Sequence, residues 1–163
     1  EAALRFASLH GAHYVHPFAD PDVVVGQGTL GLEILEQQPD IDVLVVAIGG
    51  GGLISGVSVA AHALRPGLRI IGVEPVGAPT LHDSLRAGRV IELAQIETAA
   101  GTLAPRRTAQ LNLDLVRAHL TGAGCRQRHA LRALAVHPQR QLLDVEDDVG
   151  HIFDDIGKGL KLV

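Results

Sequence analysis

The sequence predicts an α/β fold, a parallel sheet with flanking helices, and three observations carry that expectation. Residues 43–48 (Val-Leu-Val-Val-Ala-Ile) are apolar throughout instead of alternating, which marks a strand buried on both faces, the habit of parallel sheets covered by helices. Four consecutive glycines, Gly49, Gly50, Gly51 and Gly52, then lead into residues 53–64, an apolar stretch rich in small side chains. Residues 69–73 (Arg-Ile-Ile-Gly-Val) supply a second strand, and strand, loop, helix, strand is a βαβ unit.

The elements follow in chain order. Residues 2–9 have helical spacing, Gly11 stands where a C-cap glycine belongs, and residues 12–15 read as a short edge strand closed by Pro17. Asp20-Pro-Asp22 is turn chemistry, and residues 29–37, with Leu30, Leu32, Ile34 and Leu35 among polar neighbours, predict a helix ending before Pro39. The strand at 43–48 is expected inside the sheet, with the glycine loop at its C-terminal end. A helix begins near Leu53, and Ser55, Gly56, Ser58, Ala60 and Ala61 let it pack tightly on that sheet. Residues 80–87 and 111–120 are two further helices, stopped by Gly88 and Gly122.

Composition narrows the class. With 163 residues, 47% hydrophobic and 20% charged, the chain suits one globular domain with a core. A formal charge of −4 argues against a general nucleic-acid surface, no apolar run approaches the length of a membrane helix, and a single cysteine, Cys125, excludes an internal disulfide framework. No basic start precedes an apolar core and a cleavage site, so the default is a cytoplasmic protein. The chain contains no methionine, and its first five residues (Glu-Ala-Ala-Leu-Arg) read like a helix interior, which predicts a fragment. Of fourteen basic residues twelve are arginine, the lysines being Lys158 and Lys161.

Four glycines in a row lose much conformational freedom on folding unless something needs the backbone bare. A glycine loop between a buried strand and a helix presents unencumbered N–H groups at the positive end of that helix, which suits a phosphate. No Gly-Lys-Ser/Thr follows, so this is not a P-loop. The dinucleotide fingerprint fits only loosely, with Glu74 standing 22 residues after Gly52. A tight turn is the plainer reading, but one or two glycines suffice for that.

Gly49-Gly-Gly-Gly-Leu-Ile-Ser-Gly56, preceded by Pro17-Phe-Ala-Asp-Pro-Asp-Val-Val-Val-Gly-Gln-Gly-Thr-Leu-Gly-Leu-Glu33 and followed by Ile71-Gly-Val-Glu-Pro75, resembles the serine/threonine dehydratase (threonine ammonia-lyase) family. These are tryptophan-synthase-β-like pyridoxal-phosphate enzymes of fold type II, and serine racemase is a close relative. The resemblance runs from Glu1 to about Gly122. It implies a partial large domain at 18–122, the end of a small domain at 1–17 and a divergent tail at 123–163. It also implies β-elimination of water from a small hydroxy amino acid, giving ammonia and a 2-oxo acid, in a parent enzyme that is a homo-oligomer. Racemisation at Cα, or a non-catalytic or degenerate remnant that keeps the phosphate loop, are the alternatives.

Residue by residue, Gly49, Gly50, Gly51, Gly52 and Leu53 resemble the loop that binds the phosphate of pyridoxal phosphate. Gly101, in Thr98-Ala-Ala-Gly-Thr102, resembles a glycine near the pyridine ring, with Ala100 departing from the usual aspartate. Glu74 and the Ala78 carbonyl resemble ligands of a divalent cation, although Thr80 stands where a second carboxylate is usual, which weakens the site. A strand-end carboxylate paired on the surface is the plainer reading of Glu74. The family's chemistry also needs a lysine that holds the cofactor covalently and acts on the Cα proton. In relatives it lies in the part preceding Glu1; Lys158 and Lys161 resemble nothing in its motif and read as solvated tail residues. No catalytic residue is therefore assigned.

Beyond Gly122 the character changes. Residues 126–140 hold four arginines and two histidines without an acid, and 144–155 hold six carboxylates. Either the tail is a lineage-specific replacement or the reading frame changed near Gly122; arginine-rich runs are common in shifted GC-rich frames, which favours the second. Residues 123–163 are expected to pack poorly, with a short local helix over 127–135. His10, His13 and His16 could suggest a metal site but straddle the break at Gly11, and Cys125 has no base placed beside it.

Overall fold

The computed structural model describes residues 2–119 and, beyond them, the backbone of four short strands at 122–127, 130–132, 134–136 and 142–144. Helix α1 (Ala2–His10) ends as expected: Gly11 takes the left-handed conformation (φ 62°) that costs glycine little, and Ala12 N–H reaches back to Ala7 C=O at 3.0 Å. Residues 12–15 form no strand. Helix α2 (Pro21–Gln37) starts eight residues before Thr29, where the sequence reading placed it. The Asp20-Pro-Asp22 signal is a helix start, since the Asp20 carboxylate accepts the Asp22 N–H at 2.9 Å and Pro21 occupies the first turn, where its missing N–H is harmless.

Strand β1 (Val43–Ala47), helix α3 (Gly52–Leu64) and strand β2 (Arg69–Glu74) form the parallel βαβ unit, with Val45 opposite Ile71. Strand β1 nevertheless lies at the edge of the described sheet, whose order is β1-β2-β3-β4, and its burial alternates: Leu44 and Val46 are buried, Val43 and Val45 half-buried, Ala47 exposed. An apolar run states what a strand can tolerate, and the neighbours decide what is covered; here only the Leu44 and Val46 face enters the core. That core joins Ile34, Leu35, Ile48, Ile54, Val57, Ile70 and Leu81.

Helix α3 packs tightly, but the close approach is to α2. A Cβ added at Gly31 would lie 3.1 Å from Val57 O, and one at Gly28 would lie 3.3 Å from Gly56 O, so the two backbones nearly touch. Helix α4 (Thr80–Ala87) ends at Gly88 (φ 70°), a one-turn 3-10 helix covers Gly101–Leu103, and helix α5 (Gln110–His119) closes the fully described part with Leu113 and Val116 in the core. Among the described residues no helix is long and apolar enough to cross a membrane.

Past Gly122 the sheet continues. Strand β3 (Gly122–Gln127) pairs in parallel with β2, and β4 (Ala130–Arg132) pairs antiparallel with β3, while β5 (Leu134–Val136) pairs with β6 (Leu142–Asp144). The helix expected over 127–135 is therefore replaced by strands; the second edge of β2 offers unpaired N–H and C=O groups that the following segment satisfies. The exposure expected for 123–163, the Cys125 side chain, and Lys158 and Lys161 lie outside the described residues.

Candidate functional site

The glycine loop sits where the βαβ unit turns from strand to helix. Ile48 N–H donates to Val73 C=O at 2.8 Å, holding the end of β1 beside β2. The chain then turns through Gly51, whose φ of 98° is strained for any residue with a Cβ. Each glycine faces a protein wall. A Cβ at Gly50 would overlap the Phe18 ring, one at Gly52 would lie 3.1 Å from Phe18 Cα, and one at Gly49 would lie 3.2 Å from Thr102 O. At Gly51 the neighbour would be Asn112 Cβ at 3.0 Å.

The loop's polar groups divide sharply. Its Gly50 carbonyl accepts two bonds, from Thr108 Oγ1 at 2.8 Å and Asn112 Nδ2 at 2.9 Å. Among the described residues, the amides of Gly49, Gly50, Gly51, Gly52 and Leu53 donate to no protein acceptor. Unsatisfied N–H groups at the N-terminus of a 13-residue helix, with no side-chain cap, are a cradle for an anion.

Glu74 is not the surface carboxylate of the plainer reading. It is 2% exposed, not at the surface, and its Oε1 and Oε2 accept the amides of Leu81 at 2.8 Å and His82 at 2.7 Å. It thus caps α4, whose own N-cap residue, Pro79, offers no side-chain acceptor. Burial pushes its pKa up to about 8, against the two amide bonds that favour the charged form; the nearby Asp83 adds to the rise. Ala78 C=O accepts the Thr80 N–H at 2.9 Å, and Thr80 Oγ1 donates to Pro105 C=O at 2.7 Å. Among the described residues no three His, Cys, Asp or Glu side chains come together. His16 instead accepts the Phe18 and Ala19 amides through Nδ1, at 3.3 and 3.0 Å, and the His10 ring lies 4.2 Å from that of Phe6.

A family model described as pyridoxal-phosphate dependent enzyme matches residues 1–137. The chain belongs to the pyridoxal-phosphate dependent enzyme family. The chain is 47% identical over 120 residues to the L-threonine ammonia-lyase of Thermotoga maritima, covering 74% of this chain and 30% of that protein. It is 48% identical over 101 residues to a serine racemase of Oryza sativa subsp. indica, covering 62% and 30%. The processed form of threonine deaminase isoform 2 from Solanum lycopersicum superposes with a TM-score of 0.75 at 35% identity, covering 77% of this chain and 37% of that structure. The chain thus spans about 30% of the length of these curated relatives. Its fold is a partial large domain of the fold-type II pyridoxal-phosphate enzymes.

The geometry brings Gly49, Gly50, Gly51, Gly52 and Leu53 together with the turn that Gly101 opens, since Thr102 and Leu103 abut Gly49. Gly101 itself has open space around its Cβ position. Sequence reasoning missed Phe18, Thr108 and Asn112. Phe18 lay within a quoted motif, but nothing local marks Thr108 or Asn112, which lie 58 and 62 residues from the carbonyl they bind.

Proposed function

We propose that this chain is the cofactor-phosphate part of a pyridoxal-phosphate-dependent serine/threonine dehydratase, which eliminates water from a hydroxy amino acid to give ammonia and a 2-oxo acid. The observation that carries the reading is the row of free amides from Gly49 to Leu53 at the start of α3. The cofactor, when bound, supplies an electron sink for charge at Cα. The chain's part would be to bind and orient: the loop amides would take the phosphate, Phe18 walls one side of the loop, and the turn opened by Gly101 lies against Gly49. Residues 1–17 end the small domain, 18–122 belong to the cofactor-binding domain, and 123–163 form a divergent tail. The parent enzyme is cytoplasmic and homo-oligomeric, with a small amino acid as substrate. Racemisation at Cα is the second reading, favoured by the 48% identity to a serine racemase.

Inorganic phosphate titrated into the ¹⁵N-labelled chain should move the amide signals of residues 49–53 selectively. Gly51→Ala, which forces a Cβ into positive φ, should weaken that binding about tenfold, as expected for strain of roughly 1–2 kcal/mol. Unmoved loop signals in the wild-type chain would reject the phosphate reading. A divalent cation at Glu74 and Ala78 rests on the resemblance: a hard cation takes six or more oxygens, and the oxygens at hand already accept N–H groups. A rise in melting temperature on adding Mg²⁺ or Ca²⁺, absent in Glu74→Gln, supports it; no rise removes it.

With lysine only at 158 and 161, the purified 163-residue chain is expected to make no 2-oxo acid from serine or threonine when pyridoxal phosphate is added. Detection of 2-oxo acid above a cofactor-only blank contradicts this.

A further inference from the structure

We infer that Asn112, assisted by Thr108, is a positioning residue that aims the glycine loop at its anion. The inference rests on the phosphate reading of that loop and extends it to side chains on another element. A trans peptide is planar, so the carbonyl of Gly50 and the N–H of Gly51 point in opposite directions. Two donors hold that carbonyl, Asn112 Nδ2 at 2.9 Å and Thr108 Oγ1 at 2.8 Å, and they thereby turn the Gly51 N–H away from α5. Among the described residues, no other free amide of the loop has its peptide plane held by two side chains.

The orientation of Asn112 is forced. Its Nδ2 carries two hydrogens, and both are used, one on Gly50 C=O and one on Phe18 C=O at 2.8 Å. Reversing the amide would set Oδ1 against two carbonyl oxygens, so the side chain keeps this orientation even though Oδ1 is buried without a partner among the described residues. Asn112 is fully buried, and one amide group therefore ties Phe18, 94 residues away, to the loop that its ring walls. Asparagine is a poor helix former, so helix propensity does not account for it near the start of α5.

The test uses the full chain and inorganic phosphate, read by the amide signals of residues 49–53 and by hydrogen exchange at Gly51. Asn112→Asp keeps the shape but sets a carboxylate oxygen against the two carbonyls, and Thr108→Val removes the hydroxyl at nearly constant volume. Each should weaken phosphate about tenfold or more, as loss of a buried hydrogen bond does, and shift the Gly51 amide before any phosphate is added. Thr108→Ser should restore both readouts to within about twofold of wild type, since it returns the donor. If Asn112→Asp does not fold, the Thr108 pair decides by the same readouts. Wild-type binding that both folded variants retain, with the Gly51 signal unmoved, overturns the inference alone. Absence of phosphate binding in the wild type overturns the phosphate reading and this inference with it.

Discussion

Replacing Gly56 by alanine is expected to destabilise the chain by about 3 kcal/mol, at the upper end of what overpacking costs. Gly56 lies in the middle of α3, where helix propensity alone would make alanine better by about 0.5–1 kcal/mol. The two effects have opposite signs, and the geometry decides between them. A Cβ at Gly56 would overlap Val24 O and approach Gly28 N to 2.7 Å and Gln27 C to 3.0 Å, all of them backbone atoms of α2. A main chain that already packs Gly28 against Gly56 and Gly31 against the Val57 backbone has no rotamer to change, so α2 itself must move. Gly26, exposed on α2 with nothing within 4 Å of its Cβ position, is the internal control. Gly26→Ala should stabilise by about 0.4–1 kcal/mol. Urea midpoints of the two variants moving in opposite directions are the expected result. A neutral or stabilising Gly56→Ala would show that the two helices do not approach as closely as described.

The second large effect is on pH dependence, through Glu74. Its carboxyl is pushed up from 4.5 to about 8 on folding, chiefly because burial disfavours the charge. The folded state therefore holds a proton that the unfolded state releases, and stability falls as pH rises wherever the unfolded chain binds fewer protons. The contribution is fully present below about pH 4.5 and is lost as pH climbs through about 8. At about 1.4 kcal/mol per unit of pKa, the loss amounts to several kcal/mol across that window. Glu74→Gln removes the titration, so its unfolding free energy should show a much flatter profile between pH 5 and pH 8 at ~0.1 M salt, conditions chosen to screen surface charges. Glu74→Ala should instead be destabilising at every pH, by on the order of 3 kcal/mol, since it strips the acceptors from the buried amides of Leu81 and His82. A wild-type chain whose stability rises from pH 5 to pH 8 in step with Glu74 would mean that the carboxylate, not the acid, caps α4.

Much of this protein was legible in the residues themselves. Helix ends were read from Gly11 and Gly88, both of which take positive φ, because a C-cap is a local device carried by one residue. The turn from β1 into α3 was read from the glycines, and the parallel pairing of β1 with β2 followed from the helix placed between the two strands. Asp20 was read as a turn because turns and N-caps use the same side-chain acceptor; only the helix that follows distinguishes them. The arginine-rich stretch misled in a similar way. A helical stripe over 127–135 is a statement about side chains, whereas the strands there belong to backbone pairing that starts from the edge of β2.

The sequence by itself settled what depends on neighbours along the chain: the βαβ order, the bare loop at the head of a helix, the membership in a cofactor family that three ordered motifs betray. Tertiary structure decided which of those features are covered and where they point. Val43–Ala47 is apolar throughout yet buries only alternate residues, because coverage belongs to the strands and helices beside it. Glu74 could have been a surface carboxylate, and is a buried cap because α4 begins directly against it. The Gly50 carbonyl is held by Thr108 and Asn112, about sixty residues on. Such bonds leave no periodicity or spacing to read; they exist only once the chain has folded back and two distant segments share one buried place.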